Sequence, residues 1–426
     1  MAQYDDREHY IPIRRSDLIE LLVGSSKLSE EQKNSFRQFC KLVNSIYHFE
    51  YHDDLENLKK QYYPFDPDAI SVGATPLTDN EKDKERTQLY EKLSWLLARA
   101  NYTKLTKEQL IEAGDAASAW GINLEIDFDQ FEHLDVYVRG SGTGKRLKRH
   151  WLFFWRMEEV SVDIYQRVVI VLKQKPSKKP SPNISSDAVY LKIFKDIPQV
   201  DIEMLLPGGK VKMPKIELAK LGASLLAAIG MIIYKVTEFI LAFAIATAGV
   251  AATLAIIFTN PIGFFSLLGV IGGYGYKQYA GYRVAQQTYN LQLTESLYYQ
   301  NLDSNAGVLV NLFDEAEEQE CREVILGYYY LWAYAPAQGW TAKDLDDYIE
   351  IDLEQLLALK VDFEIEDALV KLEANKLVQK NGDRYTAVPI EQALEVLDHK
   401  WDNYFQYNQP KETGITQLAE NNIVSS

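Results

Sequence analysis

Apolar residues spaced three and four apart predict helices in the first hundred residues. SDLIELLVG begins at Ser16, a candidate N-cap, and a longer amphipathic stretch follows it. This stretch places six apolar residues on one helical face: Phe36, Phe39, Leu42, Val43, Ile46 and Tyr47. The motif FDPD at 65–68 ends it, and a third helix is predicted at about 87–100. Residues 1–100 are therefore assigned to a helical N-terminal region.

The pattern then changes to the alternation of apolar and polar residues that is typical of strands. INLEIDF, LDVYVRG, VSVDIYQRVVIVLKQ and AVYLKIFKDI alternate and are rich in Val, Ile and Tyr, and the helical pattern KEQLIEAGDAA precedes them. Residues 101–215 are predicted to form a small mixed α+β domain with about four strands.

A third pattern is a long run without charge. FILAFAIATAGVAATLAIIF, residues 239–258, has twenty uncharged residues, about the length that a helix needs to cross a bilayer. Apolar runs at 221–234 and 261–276 flank it, and basic residues lie on both outer sides. By the positive-inside rule, basic residues at both ends indicate an even number of crossings. We predict a transmembrane hairpin at 216–277 with two spans, and three spans stay open as the alternative.

The C-terminal pattern is helical again. Residues 278–340 are predicted to form a helical stalk. Thr341 then caps AKDLDDYI, a further helix starts at Asp362, and the pair Asn381-Gly382 joins two short strands. The order of helices followed by a hairpin is typical of a winged helix, so 341–405 is predicted as a winged-helix-like module.

These elements define the predicted fold class. It is an α+β membrane protein with a helical N-terminal region, a small mixed β-domain, a transmembrane helical hairpin, and C-terminal helices with a winged-helix-like module. Residues 406–426 are predicted to be a disordered tail. The soluble domains are predicted to lie on the cytoplasmic side of the membrane.

Charge is unevenly distributed along this chain of net charge −16. Residues 139–220 contain 17 Lys and Arg against 8 Asp and Glu, whereas 341–375 contain 11 acids against 3 bases. Because phosphate contacts need Lys or Arg, the acidic module is predicted to bind protein partners and not nucleic acid. The two cysteines, Cys40 and Cys321, lie too far apart in the sequence to indicate a disulfide framework.

The stretch GSGTGK at 140–145 resembles a phosphate-binding loop. The first glycine of that motif would fall on Arg139, and the hydroxyl residue that should follow Lys145 is Arg146, so neither a nucleotide site nor any other cofactor is predicted. Basic and aromatic residues next to each other suit the headgroup boundary of an anionic inner leaflet, and the alternative is a solvated loop followed by a core strand. The predicted membrane-surface residues are Lys145, Arg146, Lys148, Arg149, Trp151 and Trp155.

Two further sets of polar residues are candidates for chemistry. His48, His52 and Glu56 share one helical face and could present three metal ligands, although ordinary histidines packed among tyrosines are the alternative. No nucleophile–base pattern is present, so no catalytic residue is assigned. The predicted intramembrane polar residues are Lys235, Glu238 and Asn260.

Several of these motifs combine into a family resemblance. IPIRRSDLIELL, FRQFCKLVNSIYHFEYH, PFDPD, VYVRG, YLKIFKDIPQVDIEMLLPGGKVKMP and TESLYYQNLDSN, spread over most of residues 7–335, resemble the domain of unknown function 3754 family. That family has cyanobacterial, plastid and mitochondrial transmembrane members. The resemblance implies an integral protein of a bacterial inner or thylakoid-type membrane with no established activity, so it assigns no catalytic residue.

The function predicted from these patterns is that of a non-enzymatic, membrane-anchored adaptor or assembly protein. The basic domain would lie against the lipid bilayer, and the acidic module would bind protein partners. Two alternatives stay open: an oligomeric transport or channel subunit, and a metal-dependent enzyme. Assembly into a homo-oligomer also stays open.

Overall fold

The computed structural model describes residues 8–25, 28–70, 78–118, 123–125, 127–149, 157–176, 185–207, 210–212, 298–358 and 360–405, with isolated positions between 226 and 291. The chain divides into two compact units. The first consists of Met1–Thr103 with Asn305–Ser426, and the second is Lys104–Ser304. The second unit is therefore an insertion in the sequence of the first.

Both helices and strands are present in the described residues. The helices are α1 (Arg15–Ser25), α2 (Glu30–Tyr62), α3 (Asp79–Arg99), α4 (Lys107–Ser118), α5 (Ala306–Ala333), α6 (Ala342–Leu357), α7 (Ile365–Ala374) and α8 (Ile390–Asp402). The strands are β1 (Thr103–Lys104), β2 (Asn123–Glu125), β3 (Phe131–Arg149), β4 (Met157–Gln174), β5 (Tyr190–Pro198), β6 (Lys210–Lys212), β7 (Asn301–Ser304), β8 (Trp340–Thr341), β9 (Val378–Asn381) and β10 (Arg384–Ala387). This mixture agrees with the α+β part of the predicted fold class.

In the first unit, α2 begins at a capping box. The Ser29 hydroxyl accepts a hydrogen bond from the Gln32 amide, and the Gln32 side chain accepts one from the Ser29 amide. The helix buries an apolar stripe, and Phe39 from that stripe stacks on Tyr328 of α5 with 4.2 Å between the ring centroids. The helical period of the sequence therefore identifies the face of α2 that packs on α5.

Helix α5 is the centre of this unit. Every residue from 319 to 331 is buried, and α2, α3, α6, α7 and β10 pack around the helix. The buried hydroxyl of Tyr328 donates to the Val388 carbonyl at 2.9 Å, and that of Tyr329 donates to the Leu22 carbonyl at 2.8 Å. Because a helix that is buried on all sides must satisfy its polar groups internally, these tyrosines keep their hydroxyls bonded inside the core.

The second unit is built on a sheet with the strand order β1-β3-β4-β5-β7. The pairs β3–β4, β4–β5 and β5–β7 are antiparallel, and β3 pairs with β4 from Phe131↔Gln174 to Arg149↔Met157. Val138, Val168 and Phe194 lie on the face that packs with α4 and the 3-10 turn Gln199–Leu205. Residues of the opposite face of β4 are buried too, as Val169 shows, so the central strand is covered on both sides.

The predicted transmembrane hairpin needs correction. No helix in the described part of the chain is long and apolar enough to cross a membrane, because its long helices, α2, α3 and α5, all carry many charged residues. This finding contradicts the membrane part of the predicted fold class and the integral membrane localisation, and both predictions are wrong. The run at 239–258 on which they rested lies outside the described residues.

Candidate functional site

The C-terminal segment 340–405 of the first unit displays a concentration of carboxylates. Its first helix, α6, begins at a capping box in which the Thr341 hydroxyl accepts from the Asp344 amide at 3.1 Å. The Asp344 carboxylate in turn accepts from the Thr341 amide at 3.3 Å. This start, which the sequence predicts, fixes which residues of α6 are buried and which are exposed.

A three-stranded sheet of order β8-β10-β9 completes the segment. Arg384 pairs with Asn381, so the turn between β9 and β10 consists of Gly382 and Asp383, one residue later than the predicted Asn381-Gly382. Gly382 has φ of +66°, which suits the first central position of a type II′ turn. Gly339, with φ of +76°, precedes β8, and a Cβ there would lie 2.3 Å from the Tyr385 carbonyl oxygen. Only glycine permits this close approach.

Helix α7 divides its residues between the core and solvent. Ile365, Ala368, Leu369 and Leu372 are buried. Glu366, Val370 and Glu373, spaced four and three residues apart, are exposed on the other side, and Val370 is 65% exposed. We call these three residues the α7 stripe. Its apolar centre between two carboxylates is complementary to a basic surface with an apolar residue.

The inner side of α7 takes part in a buried charge cluster. The Lys371 Nζ lies 3.0 Å from Glu320 Oε2 and 2.9 Å from Glu323 Oε2, both on α5, and 2.5 Å from Asp367 Oδ2. Arg99 of α3 adds an ion pair, with its Nε 3.2 Å from Glu320 Oε1. The cluster ties three helices together.

Burial determines the proton affinity of this cluster. Desolvation raises the pKa of Glu323 to about 7, although Lys371 and Gln319 act to lower it. Burial by itself lowers the pKa of Lys371, but the attraction of Glu323 and Glu320 outweighs that effect and raises it. The lysine therefore stays charged, and Glu323 is the group that titrates near neutrality.

Asp346 of α6 is a second carboxylate whose pKa lies near neutrality. It is 7% exposed, and its Oδ1 has no hydrogen-bond partner among the described residues. Burial raises its pKa to about 7, and nearby acids raise it further. Four acids exert this effect: Glu350, Asp347, Asp362 and Glu366. In the part of the chain that the structure describes, no Lys, Arg or His forms an ion pair with Asp346, the buried member of this carboxylate cluster.

The predicted metal ligands take different partners. The Nδ1 of His48 lies 3.0 Å from Glu317 Oε2 of α5, whereas Glu56 Oε1 binds Lys59 of its own helix at 2.8 Å. His52 is exposed. Within the described ranges, no group of three or more His, Cys, Asp or Glu side chains is arranged to hold a metal ion.

The predicted membrane-surface residues lie mainly in β3. The GSGTGK stretch is part of this strand, so its backbone pairs with β4 and does not form a loop. Lys145 Nζ lies 3.2 Å from Glu159 Oε2, and Lys148 is opposite Glu158 in the register. Arg146 and Arg149 belong to the same strand, and both Trp151 and Trp155 lie outside the described residues. The predicted intramembrane residues Lys235, Glu238 and Asn260 also lie outside them.

Sequence reasoning missed the buried charges. Lys371 lies between Val370 and Leu372 in an otherwise apolar helix turn, and a lysine at such a position is a signal, since unpaired charges are rarely buried. Glu320 and Glu323 lie in a stretch of α5, residues 314–323, that contains four other acids, so the sequence does not distinguish them. The pairing itself joins residues that are about fifty positions apart, and no local pattern shows it.

The fold and these charges describe a class of protein: a chain of mixed helices and sheets with an acidic C-terminal surface and a cluster of buried ion pairs in its first unit. Residues 165–307 match the model of the family described as Protein of unknown function (DUF3754), and this match confirms the predicted resemblance over that part of the chain. The matched region covers β5, β7 and most of β4, and it excludes α6 and α7. No solved structure matches the chain.

Proposed function

We propose that this chain is a non-enzymatic adaptor or assembly protein that binds a basic protein partner through the acidic surface of residues 341–405. The observation that supports the proposal best is the α7 stripe. Its central side chain, Val370, is 65% exposed between two exposed carboxylates. Exposed apolar groups bordered by charge are a common feature of protein-binding surfaces.

The buried charge cluster supports a structural role over a catalytic one. Glu320 and Glu323 are each 2% exposed, and both contact Lys371. A catalytic acid or base has to reach the group whose proton it transfers. These carboxylates face helices of the protein's own core, so their role is to fix α7 against α5 with the stripe facing outward.

The same surface is unsuited to nucleic acid. The exposed face of α7 presents Glu366 and Glu373, and the one lysine of this helix, Lys371, is buried against carboxylates. Phosphate groups would meet like charge across the whole face, and no Lys or Arg of α7 would offset it. The expected partner is therefore a protein with lysine or arginine around an apolar side chain.

Affinity capture with a triple variant tests the proposal. Glu366→Lys, Val370→Asp and Glu373→Lys together reverse the charge of the stripe and remove its apolar centre. Tagged full-length chain, wild type or variant, would be recovered from cells of the source organism and its bound proteins quantified by mass spectrometry. We expect at least one stoichiometric basic protein to be lost from the variant, and its capture by the wild type to weaken as salt is raised.

A control of the same composition separates the surface from a general effect of charge. Glu31→Lys, Glu91→Lys and Ile70→Asp change two exposed acids and one exposed apolar residue elsewhere in the first unit. This variant should retain the partner. Equal capture by the wild type and the α7 variant would contradict the proposed function.

A further inference from the structure

We propose that the carboxylates of Asp346, Asp362 and Glu366 form a binding site for a lysine or arginine side chain of a partner protein. The inference rests on the proposed function and specifies the chemistry of its contact. It follows from one buried oxygen that lacks a partner, from the charges that surround it, and from its position beside the α7 stripe.

The unpartnered oxygen is the first observation. Asp346 is 7% exposed, and its Oδ1 accepts no hydrogen bond from the described residues. A buried carboxylate oxygen without a donor is costly, and proteins normally supply such a group with hydrogen bonds or a cation. A donor from outside the described residues would remove this cost, and that donor is what the proposal supplies.

The surrounding charges determine the sign of the ligand. Four acids lie near enough to raise the pKa of Asp346. They are Asp347 and Glu350 of α6, Asp362 of the segment before α7, and Glu366 of α7. Two basic groups pair with outer members of the cluster: His9 Nδ1 lies 3.4 Å from Asp362 Oδ2, and Lys343 Nζ lies 2.6 Å from Asp347 Oδ2. The cluster thus attracts a positively charged ligand.

The position of Asp362 is fixed by the backbone around it. The Phe363 amide donates to Glu350 Oε1 at 3.1 Å, and the Asp362 amide donates to the Glu8 carbonyl at 2.9 Å. These two bonds hold the segment against α6 and against the N-terminal segment. The backbone that carries Asp362 is therefore held in place before a ligand arrives, which lowers the entropic cost of binding.

The expected ligand is an organic cation. No group of three or more described acidic, His or Cys side chains has the compact arrangement that a metal ion requires. A guanidinium spreads five donors over a planar fork, and an ammonium has three donors on a flexible stem, so either can bridge carboxylates that are further apart. Glu366 belongs both to this cluster and to the α7 stripe, so one partner surface can engage both.

Two neighbouring aspartates provide a matched test. Asp346→Asn removes the buried charge and keeps the shape, whereas Asp347→Asn makes the same change one residue away on an exposed side chain. The probe is a synthetic peptide with two arginines on each side of a leucine, measured by calorimetry with the full-length protein at pH 7.5 and an ionic strength of about 0.15 M. We expect Asp346→Asn to weaken binding by about tenfold or more, and Asp347→Asn by less than about threefold.

The pH dependence gives a readout that a purely structural role would not change. Because burial keeps the pKa of Asp346 at about 7, this group gains its proton as pH falls from 8 to 6, and a protonated carboxyl binds a cation weakly. Wild-type affinity for the peptide should fall over this range, and the fall should be smaller in Asp346→Asn.

Two further measurements separate this inference from the proposed function. Asp362→Asn provides a second variant, with folding checked by circular dichroism, and calcium chloride replaces the peptide in a parallel titration. Equal effects of Asp346→Asn and Asp347→Asn, or saturable calcium binding that Asp346→Asn abolishes, would overturn the side-chain site. If the α7 triple variant loses the captured partner while Asp346→Asn retains it, the adaptor function stands and this inference fails. If neither variant changes capture, the adaptor function itself fails.

Discussion

Lys371 shows how the surroundings of one residue decide its role. Three carboxylates lie within ion-pair distance of its ammonium, and the side chain is 10% exposed. Lys343 of α6 makes an ion pair as well, 2.6 Å from Asp347, but its side chain is 72% exposed. Water screens the second pair and hardly reaches the first, so the same chemical group should contribute very differently to stability.

Replacing Lys371 by alanine should destabilise the protein strongly. The change leaves Glu323 buried without its cation and Glu320 with Arg99 alone, and breaking a buried ion pair in this way typically costs about 3–5 kcal/mol. The free energy of unfolding, measured by denaturant titration with circular dichroism detection, should fall by that amount for the first unit.

Lys343→Ala is the matched control. Exposed pairs contribute about 0.2–1 kcal/mol, so this variant should unfold close to the wild type. A loss for Lys371→Ala no larger than that for Lys343→Ala would show that the cluster does not hold α7 on α5.

At the scale of elements, the approach of β8 to β10 depends on a single backbone position. Gly339 accepts a hydrogen bond at its carbonyl from Arg384 Nη1 at 2.8 Å and adopts a left-handed φ of +76°. Its Cα faces the Tyr385 carbonyl so closely that there is no space for a side chain. The chain path into α6 thus requires glycine for two separate reasons, conformation and contact.

Gly339→Ala and Gly24→Ala should have opposite effects. Alanine at 339 would meet the Tyr385 oxygen at 2.3 Å and strain the backbone, so we expect a loss of about 2 kcal/mol or more in unfolding free energy. Gly24 lies in α1, where a Cβ would meet nothing within 4 Å, and alanine there should stabilise by about 0.5–1 kcal/mol. Thermal unfolding of both variants measures the difference. Equal shifts would contradict the steric explanation.

The elements that the sequence predicts well are those with a strong period of their own. The apolar stripe of α2 repeats over many turns, and the capping residues of α6 mark its start. The strand pattern in LDVYVRG ends at Gly140, because GSGTGK has the glycines of a loop, yet β4 pairs with β3 as far as Arg149. Strand β7 does not follow from the sequence, because DSN is typical of a turn and the pairing partner β5 lies about a hundred residues earlier.

Some residues of the candidate site could likewise be predicted from the sequence, and others could not. The exposed acids of α7 follow from helical spacing, so their acidic face could be predicted. Asp346 could not, because nothing in LDDYI distinguishes it from Asp347 until α6 packs and buries one of the two. The burial that gives a residue its chemistry depends on tertiary contacts, and a local pattern contains little information about these.

At the scale of the whole molecule, the sequence of one compact unit interrupts the sequence of the other. The first unit takes its helices from both ends of the chain, and the second is continuous. Each has its own buried residues, such as Leu326 in the first and Ile170 in the second, which are 0% and 1% exposed. Compact units of this kind often unfold as separate cooperative blocks.

Core truncations should reveal these blocks. Leu326→Ala and Ile170→Ala each remove buried methyl groups, a change that typically costs about 2–5 kcal/mol. In hydrogen-exchange mass spectrometry, each variant should accelerate exchange mainly in the unit that contains it. Equal acceleration of both units by either variant would indicate one cooperative block instead.

The central position of α5 has a consequence for the order of synthesis. The apolar stripe of α2 leaves the ribosome early, but the helix that covers it begins at Ala306, after the whole inserted unit of about 200 residues. At translation rates of roughly 5–20 residues per second, the stripe waits for about 10–40 s before its partner exists. During that interval Phe36 and Phe39 lack Tyr329 and Tyr328, the α5 side chains on which they pack, so the nascent chain is a natural client for a chaperone that shields apolar segments.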